Sequence, residues 1–156
     1  MTNIARTGRL ALRAITTLAL GLGLVLGLGV LTSGPARAAA GPPCTSKKVR
    51  ACVDISRQRA WLMYRGKVTY GPVRIASGRA GYRTTIGTFH VTWKDIDHVS
   101  SVYHSPMPYS VFFHGGQAFH QGSLSVRSHG CVHLSHKAAV RFYKTLHVGY
   151  VVQIHR

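Results

Sequence analysis

Between residues 49 and 55 apolar side chains recur at every second position. Val49, Ala51, Val53 and Ile55 alternate with Arg50, Cys52 and Asp54. A period of two puts one set of side chains on a core and the other towards solvent, which describes a strand and excludes a helix. Much of the chain repeats this pattern. Ser56-Arg57-Gln58 reads as a turn, Arg59 to Tyr64 and Lys67 to Ala76 read as strands, and Arg65-Gly66 supplies a hairpin turn between them. Ser77 to Arg83, with two glycines, reads as a loop. Gly87 to Trp93 presents Phe89, Val91 and Trp93 on one face of a further strand. Lys94 to Pro108 shows no period and is expected to be a long irregular loop of the kind that forms a lid or binding loop. Short strands are expected at Val111 to His114 and Gln117 to His120, around Gly115-Gly116, and a polar loop from Gln121 to Arg127.

One helix breaks the series. Ser135 is an N-cap residue for a helix running to about Leu146, with Ala139, Phe142, Tyr143 and Leu146 as its apolar face. Gly149 ends it, and Tyr150 to Ile154 forms a last strand. The expected fold is mainly β, a sandwich or barrel with one helix towards the C-terminus, and not a set of alternating βαβ units.

Residues 1–40 stand apart from this pattern. Arg6, Arg9 and Arg13 precede an apolar run from Ala14 to Leu31, and small residues follow up to Ala40. Charged, then apolar, then small is the order of a secretory signal peptide, with cleavage after Ala38 or Ala40. Residues 41–48 are a short linker, and residues 49–156 are one domain. Export to an extracytoplasmic space, the cell wall or its equivalent, is the expectation.

Charge and cysteine usage then narrow the function. The chain carries 20 Lys and Arg against 3 acidic residues, Asp54, Asp95 and Asp97, and has no Glu. So few carboxylates exclude reactions that need a carboxylate pair. A surface this basic attracts anionic partners. In an exported protein that points to an anionic cell-wall polymer, and no nucleic-acid-binding pattern is visible. Cys44 and Cys52 are eight positions apart and in an exported chain are expected to form a disulfide. Cys131 is then an unpaired thiol that needs an explanation.

Cys131 lies in Ser128-His129-Gly130-Cys131. Nearby cations, Arg127, His129 and His133, are expected to lower its pKa and favour the reactive thiolate. Gly130 clears the approach to the sulfur, and a tight turn there could aim the amides of Gly130 and Cys131 at one oxygen. His120, at the end of Ala118-Phe119-His120, is the candidate base, with His114 and His129 as competitors. His129, His133 and His136 are spaced three and four apart, which also invites a zinc reading. Gly130 and the late helix start at Ser135 argue against it.

The segment from Phe119 to Leu134 resembles the catalytic motif of the L,D-transpeptidase (YkuD-type) family, an upstream histidine followed by Ser-His-Gly-Cys. Val53 to Arg59 is similar to that family's opening strand and turn, and Thr85-Ile86-Gly87-Thr88-Phe89 resembles its Thr-Pro-x-Gly-x-Phe element. The likeness covers about Val49 to Ile154. It implies a mostly β catalytic domain with Cys131 as nucleophile and His120 as general base and acid, supported by Ser128, His129 and Gly130. It implies no metal and no cofactor. His133 stands where the family often has Arg or Asn, so His133, with Tyr109, is a candidate substrate contact. The implied activity is cross-linking or remodelling of peptidoglycan stem peptides through a thioester, with inhibition by carbapenems, by a monomer. Hydrolysis at the same site, as an L,D-carboxypeptidase, and a non-catalytic cationic wall-binding protein are the alternatives.

Overall fold

The computed structural model describes residues 41–156. The signal segment expected over residues 1–40 lies outside the described residues. Nine strands and one helix follow in order: β1 (Val49–Asp54), β2 (Arg59–Tyr64), β3 (Lys67–Arg74), β4 (Gly87–His90), β5 (Trp93–Val99), β6 (Pro106–His114), β7 (Gln117–Gln121), β8 (Val132–Leu134), α1 (His136–Thr145) and β9 (Val151–His155). They form two sheets, one in the order β3-β2-β1-β9-β4 and the other in the order β5-β6-β7-β8. The fold is mainly β, as expected.

The main core contains Ala51, Val53, Leu62, Val152 and Ile154 from the first sheet and Val111, Phe113, Phe119, Val132 and Leu134 from the second. The helix closes it. Ser135 caps α1 by accepting the Ala138 N–H, and Ala138, Ala139, Phe142 and Leu146 are buried. Phe142 packs its ring against Phe119 at 5.2 Å. Full burial of one such side chain contributes about 1.5–3 kcal/mol. Gly149 adopts a φ of 87° after the helix, where glycine carries no steric penalty.

Three sequence expectations give way to the structure. First, β1 is not half-buried with a single inward set. It lies between β2 and β9, and a register shift between Val49 and Ala51 turns Val49 to the opposite face. There Val49 joins Cys44, Cys52, Trp61 and Met63 in a second small core. A bulge adds one residue to a strand and so inverts the pattern beyond it.

Second, the strand expected from Gly87 to Trp93 ends at His90. The chain crosses between sheets at Val91 and Thr92. Val91 bonds to Tyr150 and Gly149 beside β9, whereas the Thr92 N–H donates to Phe112 of β6. Trp93 therefore opens β5, is 42% exposed, and stacks on Phe112 with ring centroids 4.0 Å apart.

Third, most of the expected long loop is a hairpin. β5 pairs with β6 from Trp93↔Phe112 to Val99↔Pro106, which leaves only residues 100–105 as the connection. β5 is an edge strand, exposed or half-buried along its length, so it carries no alternation for the sequence to display.

Cys44 and Cys52 form the expected disulfide. It ties the segment before β1 to the second small core. Closing so short a loop in the unfolded chain is worth about 2–3 kcal/mol on the chain-entropy account. Reduction should lower the thermal midpoint by that equivalent, and a Cys44→Ala/Cys52→Ala protein should melt with the reduced form. Thermal unfolding with and without reductant reads both.

Candidate active site

The site is built on the parallel pair β7 and β8. Their register sets Phe119 beside Val132 and His120 beside His133. Side chains alternate across a strand. Phe119, Val132 and Leu134 enter the main core, so Ala118, His120, Cys131 and His133 share the opposite face. That face opens on a cavity of about 480 Å³. Cys131, His120, His133, His129 and Ser128 all line it, together with Trp93, His98 and Phe112. The structure thus brings the expected site residues together, with two exceptions. Gly130, between His129 and Cys131 in the turn, and Tyr109 are not among the lining residues. Tyr109 packs beside α1, edge-on to His136 and Tyr143.

His120 is 5% exposed. Its Nδ1 lies 2.7 Å from the Gln121 carbonyl oxygen. A carbonyl can only accept, so Nδ1 carries the proton, and Nε2 is left with a lone pair. Burial pushes the His120 pKa down to about 4, and the charges of His133 and His98 push the same way, against the pull of the Gln121 carbonyl. The ring is therefore neutral at ordinary pH. The unfolded chain takes up this proton near pH 6.5 and the folded chain near pH 4. Stability is present in full above the unfolded value and is lost as pH falls towards the folded one. The loss should reach about 3 kcal/mol. Thermal midpoints measured across this window should rise with pH, and His120→Gln should flatten the rise.

Cys131 is a half-buried free thiol. The expected lowering of its pKa does not occur. Burial raises it, and an opposing hydrogen bond from the Ala118 amide is the smaller influence. The cations named from sequence are engaged elsewhere. Arg127 donates to Ser77 Oγ at 2.8 Å, and His129 stacks on Tyr103 at 4.2 Å with Tyr82 against its edge. His133 donates from Nδ1 to the Ser123 carbonyl at 2.9 Å. At rest the site therefore holds a neutral thiol and a neutral imidazole.

The turn carrying Cys131 is clamped from two sides. Ser128 Oγ accepts the Gly130 N–H at 3.0 Å and donates to the Cys131 carbonyl at 2.5 Å. Thr84 Oγ1 donates to the Gly130 carbonyl at 2.8 Å and accepts the Gly78 N–H at 2.9 Å. Gly130 has a φ of +120°, which L side chains rarely adopt, and a Cβ there would stand 3.1 Å from Gln117 Nε2. These contacts correct the expected oxyanion site. The Gly130 amide is spent on Ser128, and of the two amides only that of Cys131 remains to serve. Gly122 has a packing role of its own: a Cβ there would stand 2.7 Å from Cγ of His133.

Sequence reasoning missed Thr84, Gln117 and His98. Gln117 accepts the Thr85 N–H at 3.0 Å and ties β7 to the loop before β4. His98 is held at 3.2 Å by Asp95 and lies edge-on to Trp93 and Phe112. None of the three had a local signal, because each acts across a fold contact. Among the described residues no group of three or more His, Cys, Asp or Glu is arranged to hold a metal ion.

A free thiol and a buried, oriented imidazole facing one cavity in a two-sheet β domain define a candidate thiol–histidine site. The L,D-transpeptidase catalytic domain model, YkuD, matches residues 48–154. The chain belongs to this family. Similar solved structures agree with that placement. An L,D-transpeptidase from Stackebrandtia nassauensis is 30% identical, with 73% of this chain and 59% of that chain covered and a TM-score of 0.68. The L,D-transpeptidase LdtMt1 in complex with imipenem is 24% identical, with 65% and 56% covered and a TM-score of 0.60. L,D-transpeptidase 3 from Mycobacterium tuberculosis, in complex with a faropenem-derived adduct, is 21% identical, with 67% and 58% covered and a TM-score of 0.62. The last two likenesses bear on the fold alone. This chain thus spans less than two thirds of each of these three structures. No curated protein matches it.

Proposed function

We propose that this protein is an exported, cysteine-dependent L,D-transpeptidase that joins peptidoglycan stem peptides through a thioester on Cys131. The observation that carries the reading is the shared face of His120 and Cys131, with the His120 Nδ1–H fixed on Gln121. A neutral imidazole with a free Nε2 is the state a general base requires. As Sγ attacks the carbonyl of an L-residue preceding a terminal D-residue, the thiol proton passes to His120 Nε2. The carbonyl oxygen becomes an oxyanion that the Cys131 amide stabilises. Collapse breaks the peptide C–N bond, and His120 returns the proton to the departing amine. The thioester is then attacked by the amine of a second stem peptide, which gives its proton to His120. When the new amide forms, the thiolate leaves and takes that proton back.

The neutral pair avoids a standing thiolate in a desolvated cavity. Proton transfer happens in step with attack, once a substrate carbonyl is in place. The N-terminal charge pattern supports export, and the 16 basic residues of 41–156, 20 less Arg6, Arg9, Arg13 and Arg37, support attraction to an anionic wall polymer. The penem and carbapenem complexes of the two related enzymes support trapping of Cys131 by such β-lactams. The direct test supplies a synthetic stem peptide ending in an L-residue followed by a D-residue. The expected product is a cross-linked dimer with release of the D-amino acid, seen by mass spectrometry. Recovery of unreacted peptide alone would reject the activity, and a shortened monomer alone would make the protein an L,D-carboxypeptidase.

A further inference from the structure

A second pocket, of about 350 Å³, adjoins the clamped turn. Arg79, Arg83, Arg127 and Arg156 line it with Thr84 and Ile86, and no acidic side chain does. Thr84 is shared with the turn through its bond to the Gly130 carbonyl. Two of the three carboxylate side chains are engaged elsewhere, Asp54 with Arg57 and Asp95 with His98, and Asp97 lies on β5 in the second sheet. Among the described residues none of the four arginines is in an ion pair.

Like charges gathered around one hollow repel each other and are relieved by an anion. Two of the arginines are also held in place. Arg127 donates to Ser77 Oγ at 2.8 Å, and the Arg79 guanidinium lies 4.8 Å from the centre of the Tyr82 ring. The Arg79 backbone N–H is fixed on the Ser128 carbonyl at 3.0 Å. Guanidinium forks positioned in advance lose little freedom on binding.

We propose that this arginine pocket binds a phosphate group carried on a polyanionic chain, and that it is a site distinct from the Cys131 cavity. Phosphate suits the pocket better than carboxylate because it offers more oxygens and more charge to several forks at once. A chain suits the molecule better than a lone ion. Residues 41–156 carry 16 basic residues, 20 less Arg6, Arg9, Arg13 and Arg37, against 3 acidic ones, and this surplus extends well beyond the pocket and favours an extended anion.

Titration calorimetry with medium-length inorganic polyphosphate at physiological ionic strength tests this. The protein is Cys131→Ala, so the outcome is independent of the acyl-transfer reading. Arg79→Gln/Arg83→Gln should weaken binding by about tenfold or more, the scale of losing charge-assisted hydrogen bonds. Lys67→Gln/Lys144→Gln removes the same charge from exposed positions on β3 and α1 and should weaken binding far less. Equal losses in the two pairs would reduce the effect to net charge and overturn the proposal. Absence of polyphosphate binding, or orthophosphate binding as tight as the chain, would overturn it too. If the arginine pair does not fold, Arg83→Gln against Lys67→Gln makes the same comparison, since among the described residues the Arg83 side chain forms no hydrogen bond or ion pair.

Discussion

Cys131→Ala should abolish stem-peptide cross-linking, a loss of at least ~10³-fold, because the proposed covalent step uses this thiol as its nucleophile. On the proposed function imipenem or faropenem should raise the mass of the intact wild-type protein, and the same substitution should abolish that increase. Folding should survive. The thiol is half-buried, its side chain makes only a long hydrogen bond of 3.7 Å to the Gly116 carbonyl and one from the Ala118 amide, and alanine at this position leaves the Ser128 and Thr84 clamps intact. Thermal unfolding checks that point independently. A β-lactam adduct on Cys131→Ala protein would move the nucleophile elsewhere. Cys44 and Cys52 offer no substitute, since both are committed to the disulfide.

The second large effect belongs to His120. His120→Gln should lower kcat/KM by about 10²–10⁴-fold, the usual contribution of a positioned general base. It should slow β-lactam acylation as well, since both reactions need the thiol proton removed. His133→Gln separates base from neighbour. The His133 ring lies 4.9 Å from that of His120 and lines the same cavity, so its loss should alter substrate affinity and leave the proton transfer in place.

The pH profile gives a sharper reading of the same idea. With the His120 pKa near 4, kcat/KM for the wild type should fall only at strongly acidic pH, as the base becomes protonated. With the thiol raised by burial, the alkaline limb should lie above the ordinary thiol range. A broad plateau between them is the signature of a neutral pair. An acidic limb between pH 6 and 7, the ordinary imidazole range, would contradict it. It would mean that the His120 base keeps an ordinary imidazole pKa in the folded chain, whereas a resting thiolate–imidazolium pair would bring the alkaline limb down as the imidazolium loses its proton.

How much of this was legible in the sequence varies by element. The hairpin at Arg65-Gly66, the Ser135 cap and the Gly149 stop were readable because each depends on local backbone chemistry. Both residues of the first adopt the positive φ that the turn demands. β8 was not readable. Three residues form it, and its status as a strand comes from pairing with β7. β5 was invisible for a related reason, since an edge strand needs no apolar face.

For the site, residue types and cysteine usage pointed to Cys131 and left His120 beside His114 and His129, and it was the resemblance of Phe119 to Leu134 to the family's motif that paired Cys131 with His120. They misjudged the electrostatics. Counting nearby cations predicted a lowered thiol pKa, whereas depth in the fold raises it. They also misassigned the Gly130 amide, because nothing local shows that the Ser128 hydroxyl folds back onto it.

The sequence by itself determined the strand-rich class, the single capped helix, the thiol and the histidine beside it. These follow from side-chain period, turn chemistry and residue identity, all short-range properties of the chain. Only the tertiary structure decided which face of β7 and β8 opens on a cavity, that Cys131 and His120 rest neutral, and that Thr84 holds the turn. It alone gathered four arginines into a second pocket. The physical reason is common to all of these. Burial, desolvation and hydrogen bonds between distant segments exist only once the sheets have packed, and their strengths depend on distances that the linear order does not contain.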